Sequence, residues 1–213
     1  MSVVELVERG VQDSDIVSIL RSEPSGICEL DLRGNELSDM GALDLANALR
    51  EVDCKITCLR LWGNSLGVKG ASAIASALTM NTSLLNLDLG RQRLDSEHPI
   101  GDAIAKEFAA ALPHNATLQS LDLRYLGISD VGACALACAL PRNRTLKHLD
   151  VRYNVIGGEG ATALAVSLGE NDSVRIYLKA NSYDDKAAAA LATLLESDSA
   201  LAPLAAGQER LWF

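Results

Sequence analysis

The apolar residues of this chain follow two alternating rhythms. Short stretches place leucine at every second position, as at Leu30 and Leu32 or Leu121 and Leu123, which is the period of a strand with one buried face. Each is followed by apolar residues at helical spacing, such as Leu136, Ala137 and Leu140 or Leu164, Ala165 and Leu168. Glycine, serine or aspartate stands before each helical stretch, as at Ser129 and Asp130, and suits an N-cap. The pair of rhythms then recurs. It reads LDLRGNELSDMGALDLANAL from Leu30 to Leu49 and LRLWGNSLGVKGASAIASAL from Leu59 to Leu78. It returns as LDLRYLGISDVGACALACAL from Leu121 to Leu140 and LDVRYNVIGGEGATALAVSL from Leu149 to Leu168. A worn copy runs from Ile176 to Leu195, and another from Leu87 to Leu112. The period is about 28 residues. The copy beginning at Leu87 is longer by about six, and the excess falls between Gln92 and Ala105.

One strand and one helix cannot bury their own apolar faces, but stacked copies share a continuous core. Parallel strands stack about 4.8 Å apart, whereas packed helices need about 8–10 Å. The array must therefore curve, with strands inside. The expected fold is an α/β solenoid of about six repeats, with parallel strands on the concave face and helices on the convex face. Asn35, Asn64, Asn154 and Asn181 recur just after the strands, where an amide can bond backbone groups of the turn. Outside the repeats, VVELVERG and DIVSIL read as short amphipathic helical pieces. Residues 1–27 are thus expected to form an N-terminal helical cap, 28–201 the solenoid, and 202–213 a C-terminal cap or tail. In that last segment Leu204, Leu211, Trp212 and Phe213 would cover the open end of the core.

The pattern LxxLxLxxNxLxxxGAxxLAxAL resembles the ribonuclease-inhibitor-like class of leucine-rich repeats, over roughly Cys28 to Leu201. The resemblance implies a curved solenoid. Its members include inhibitors, GTPase activators, actin-capping domains, ciliary components and innate sensors, so it implies a role without choosing among them. Gln92 and Leu126 depart from the pattern, standing where the turn asparagine is expected. The GTPase-activating members have a longer array and an acidic tail. The inhibitors of ribonuclease have a longer horseshoe rich in Trp and Cys.

Composition narrows the function. The chain has 213 residues and a formal net charge of −9, so it lacks the overall basic character of a non-specific nucleic-acid binder. No apolar run reaches the roughly 18–20 residues that span a bilayer, and the N-terminus lacks the basic and apolar regions of a secretory signal. These features, with five cysteines in no disulfide-framework spacing, predict a cytoplasmic protein. Aromatics make up only 4%, which weighs against a large obligate interface and favours a monomer.

No catalytic constellation, metal or cofactor is implied. The cysteine pairs Cys54/Cys58 and Cys134/Cys138 belong to separate repeats, too far apart for one zinc ion, and read as small space-fillers. His98, His114 and His148 have no nucleophile partner in the repeat geometry. Four sequons, at Asn81, Asn115, Asn143 and Asn171, share one phase of the repeat and follow from its helix-to-strand chemistry. The segment from Gly67 to Ser72 is the turn into a helix and lacks the spacing of a phosphate loop.

Stacking turns equivalent positions into ladders on the strand face. One ladder reads Asp31, Arg60, Asp88, Asp122, Asp150, Tyr177, and the next Arg33, Trp62, Gly90, Arg124, Arg152, Lys179. A third reads Glu29, Cys58, Asn86, Ser120, His148, Arg175, with Tyr125 and Tyr153 at the rim. Arginine supplies bidentate contacts to carboxylate or phosphate, and Trp and Tyr are common interface anchors. Alternatively the Asp and Arg ladders neutralise each other. Trp62, at a position facing solvent in a chain poor in aromatics, points to binding. The extended repeat adds Arg91, Arg93 and His98, since recognition often sits in loops. The candidate partner-binding set is Arg33, Trp62, Arg91, Arg93, Arg124, Tyr125, His148, Arg152, Tyr153 and Lys179. The expected function is non-catalytic protein binding; the alternatives are regulation of a small GTPase or a structural role in a cytoskeletal or ciliary assembly.

Overall fold

The computed structural model describes residues 2–23, 26–93, 100–171, 173–183 and, for backbone alone, 211–212. Its strands are β1 (Ser2–Glu5), β2 (Ile27–Asp31), β3 (Cys58–Arg60), β4 (Asn86–Asp88), β5 (Ser120–Asp122), β6 (His148–Asp150), β7 (Arg175–Tyr177) and β8 (Leu211–Trp212). All pair in parallel, each with its sequence neighbour, in one sheet ordered β1 to β8. The helices between them are α1 (Ile16–Arg21), α2 (Asp39–Arg50), α3 (Val68–Leu78), α4 (Gly101–Ala111), α5 (Asp130–Ala139) and α6 (Gly158–Glu170). Strands and helices form two layers of the expected solenoid, and the core lies between them. The leucine pairs of the strands and the inward helix residues, such as Leu45, Ile74, Phe108, Leu136 and Leu164, are almost wholly buried. Each such side chain contributes about 1.5–3 kcal/mol.

Two rows of side-chain amides tie neighbouring repeats. After each strand, Asn64 donates to the carbonyls of Leu32 and Leu61 at 2.9 and 3.0 Å and accepts the Leu37 N–H at 3.1 Å. Gln92 does the same work with one more methylene, donating to Leu61 and Leu89 and accepting from Leu66. Leu126 is simply buried. Neither departure from the repeat interrupts the sheet, whose register runs unshifted from β3 to β6. The sequon asparagines form the second row: Asn143 donates to Leu112 and Asn115 carbonyls at 2.7 and 3.0 Å and accepts from Thr145 and Leu146. Asn81, Asn115 and Asn171 are placed alike, and all four are buried.

Carboxylates tie the helix ends. Asp39 Oδ1 accepts the N–H groups of Gly67 and Gly70 at 2.7 and 2.8 Å, at the start of the next helix. Asp130 repeats this toward Gly157 and Gly160, and Asp102 toward Ser129 and Gly132. Negative charge at these N-termini also opposes the positive end of the helix dipole. Glycine is favoured at the second position, because a Cβ on Gly70 would press on Asp39 Oδ1 and Ala42 Cβ, whereas Ser129 serves at the first. The Gly67–Ser72 segment is therefore the helix entry its spacing suggests.

Two expectations require correction. VVELVERG does not open as a helix: Ser2–Glu5 is a strand. Val4 pairs with Leu30, and the chain continues beside β2 through the bonds Leu6 N–H to Asp31 and Glu8 N–H to Arg33. Val4 and Leu6 thus occupy the two leucine positions of a worn repeat and pack on the core. Second, Cys138 is exposed on α5 and fills no core space, whereas Cys58 is buried. The tail residues Leu204 and Phe213 lie outside the described residues, as do the side chains of Leu211 and Trp212.

Candidate functional site

The register places the predicted ladders as read: Asp31, Arg60, Asp88, Asp122, Asp150 and Tyr177 stand in line across the sheet. Residues two apart on a strand share a face, so each arginine of the neighbouring ladder folds back on its own strand's aspartate. Arg33 Nη2 lies 2.7 Å from Asp31, and Arg124 and Arg152 lie 2.6 Å from Asp122 and Asp150. Arg124 also comes within 3.5 Å of Asp150, and Arg60 within 3.4 Å of Glu29. The row predicted as basic is thus internally compensated. Burial would raise the Asp31 carboxyl, but hydrogen bonds from Arg33 and the charges of Arg33 and Arg60 outweigh it and hold it below the usual range. Hydrogen bonding to aspartate likewise raises the Arg33, Arg124 and Arg152 guanidinium groups.

Asp88 breaks the rule. Two positions on stands Gly90, so among the described residues its carboxylate accepts only that residue's N–H, at 3.0 Å. Burial first, then the charge of Asp122, pushes its pKa up to about 6, against partial relief from the Gly90 N–H, Arg124 and Arg33.

Gly90 also explains Trp62. The indole occupies the space that a Cβ on Gly90 would need. Arg124 lies over the ring, 4.9 Å from its centre, and Tyr125 meets it edge-on at 5.6 Å. Trp62 stands on the strand face as expected but is half-buried, because it covers a gap there. Tyr125 and Tyr153 stack in parallel at 4.4 Å and remain 45% and 41% exposed. Both adopt left-handed backbone, with φ of 57° and 56°, a conformation costing a non-glycine residue on the order of 1–2 kcal/mol. Nothing in the core requires tyrosine there, since Gly34 and Gly63 fill the equivalent turns at φ 69° and 72°. Tyr125 and Tyr153 are displayed aromatics held against backbone preference, with Trp62 packed at the end of their row.

The same turn position shapes the adjoining edge of the sheet. Its residues, from β1 onward, are Glu8, Gly34, Gly63, Arg91, Tyr125, Tyr153 and Ala180, all at positive φ. The two glycines leave a depression of about 600 Å³, bordered by Val7, Glu8, Arg33, Trp62, Arg91 and Arg93. Arg33, Trp62, Arg91 and Arg93 therefore meet around one groove, and Arg124, Tyr125, Arg152 and Tyr153 continue from it along the strand face. His148 and Lys179 lie away from the groove at the far end of that face: His148 Nδ1 is 3.1 Å from the Tyr177 hydroxyl, Arg152 covers the Tyr177 ring at 5.5 Å, and the exposed Lys179 accepts the Tyr153 N–H at its carbonyl. His98 lies outside the described residues. Glu8, the glycine pair and Tyr177 were missed as site elements, although Gly34 and Gly63 share a repeat phase with the chosen tyrosines.

A family model described as "Leucine Rich repeat" matches residues 29–46, 52–75, 114–137 and 142–165. The chain is 34% identical over 140 residues to "NACHT, LRR and PYD domains-containing protein 12" of Mus musculus, covering 55% of this chain and 13% of that protein. It is 35% identical over 127 residues to the "Ribonuclease inhibitor" of Sus scrofa, covering 58% of this chain and 26% of the inhibitor. The chain thus spans a small part of each of these relatives. Among solved structures, "Leiomodin-1 Actin-Binding Site 2 (ABS2)" superposes with a TM-score of 0.55 at 21% identity, over 92% of this chain and 90% of that one, a likeness of fold.

Proposed function

Since the chain belongs to the leucine-rich repeat family, in its ribonuclease-inhibitor-like class, we propose that it is a non-catalytic module that binds a protein partner on its strand face. The observation carrying this reading is the pair Tyr125 and Tyr153, stacked, exposed and held in left-handed turns. A large rigid aromatic loses little side-chain freedom on docking and anchors interfaces effectively. The compensated Asp–Arg pairs beside them favour this use. The aspartates are largely buried while the guanidinium groups stay partly exposed, so the arginines are already oriented and keep an open edge for an incoming carboxylate.

Affinity capture from native lysate, identified by mass spectrometry, tests the reading. Tyr125→Asn/Tyr153→Asn is the variant to compare, because asparagine tolerates the left-handed turn and circular dichroism should match the wild type. Loss of a partner held by the wild type is the expected result. A partner retained equally by both forms moves binding off the tyrosine surface. The partner's identity then assigns the module to a GTPase, a cytoskeletal or another system.

A further inference from the structure

We propose that the depression at the turn edge of β1–β4 is the seat for an acidic peptide segment of the partner, its carboxylates held by Arg91 and Arg93. This rests on the protein-binding reading above and adds to it the location and charge of the bound segment.

The argument is one of shape and charge. The depression exists because Gly34 and Gly63 present no side chain where the later repeats raise Arg91, Tyr125 and Tyr153. At Gly63 its floor is backbone that a peptide can approach closely, whereas the Glu8 side chain lies against Gly34. With Arg33 compensated by Asp31, Arg91 and Arg93 against Glu8 leave its border with a small excess of positive charge, on a chain of net charge −9. Unlike the paired arginines of the strand face, Arg91 and Arg93 are exposed and make no ion pair among the described residues. They project from one turn two residues apart, and the guanidinium fork suits carboxylate geometry. Trp62 offers an apolar wall for one side chain of the segment. The depression opens onto the tyrosine row through the Trp62–Tyr125 contact, so one extended segment can reach both.

The test uses the full chain and a fluorescein-labelled peptide Glu-Glu-Phe-Glu-Glu, followed by anisotropy, beside its Gln-Gln-Phe-Gln-Gln counterpart. The acidic peptide should bind roughly tenfold more tightly, the effect of about one charge-assisted contact. Arg91→Glu/Arg93→Glu should weaken it by at least about tenfold. Gly63→Tyr should weaken it as strongly without any change of charge. The backbone at 63 already has the conformation of Tyr125, and a Cβ there meets Gly34 at an ordinary 3.5 Å. Equal binding of both peptides, or wild-type binding by either variant, overturns the proposal. Displacement by inorganic phosphate as effective as by free acidic peptide also overturns it, in favour of a general anion site. The two readings fail separately. Absent peptide binding with partner capture still lost in the tyrosine variant sinks the groove alone. Intact peptide binding with capture unaffected by that variant sinks the tyrosine surface alone.

Discussion

Asp88 carries a carboxylate that its own strand does not neutralise, because Gly90 replaces the arginine found two positions after Asp31, Asp122 and Asp150. Its pKa of about 6 in the fold exceeds the ordinary 3.8. The folded chain therefore binds this proton more tightly than the unfolded chain. Its destabilising effect is absent below about pH 4 and complete above about pH 6. Asp88→Asn keeps an acceptor for the Gly90 N–H and removes the charge. It should stabilise the protein at pH 7.5 by on the order of 1–2 kcal/mol after allowance for solvent screening, and by almost nothing at pH 4, as read from urea unfolding at both. The Asp–Arg pairing was open to sequence reasoning, since residues two apart on a strand share a face. The role of Trp62 was not. It depends on a missing side chain one strand away, at Gly90, and only the stacked register joins those positions.

Helix entry is governed by carboxylates reaching across repeats. Asp130→Ala removes the acceptor for the Gly157 and Gly160 N–H groups and the charge favoured at the start of α6. It should cost about 1–2 kcal/mol in denaturant unfolding, with faster amide exchange concentrated in the first turn of α6. Aspartate near these entries was legible as a capping residue, but its target was not, because the accepted N–H groups belong to the following repeat. The strand β1 shows a different ambiguity. Val3, Val4, Leu6 and Val7 satisfy both helical and strand spacing, and the choice comes from pairing with β2. The informative signal was Val4–x–Leu6, a copy of Leu30–x–Leu32.

Across the array, stability is a sum of repeats and of the seams between them. The amide of Asn143 lies in one such seam and satisfies two carbonyls and two N–H groups. Asn143→Ala should lower unfolding free energy by at least about 2 kcal/mol, the penalty for buried polar groups left without partners. A smaller denaturant slope is also expected as the two sides begin to unfold separately. The solenoid itself was readable from repeated leucines, because a period that survives several copies has one structural solution. The groove was less readable, because it consists of what two turns lack.

The left-handed turns have a further consequence. Their φ stays positive whether the residue is glycine, arginine, tyrosine or alanine, so the backbone does not depend on what is written there. Along the edge the sequence runs acid, gap, gap, cation, aromatic, aromatic, methyl, one symbol per strand at a spacing of about 4.8 Å. The string is not a palindrome. A segment crossing the strands meets its carboxylate-binding end and its ring-binding end in a fixed order, so this edge distinguishes a bound chain from the same chain laid in reverse.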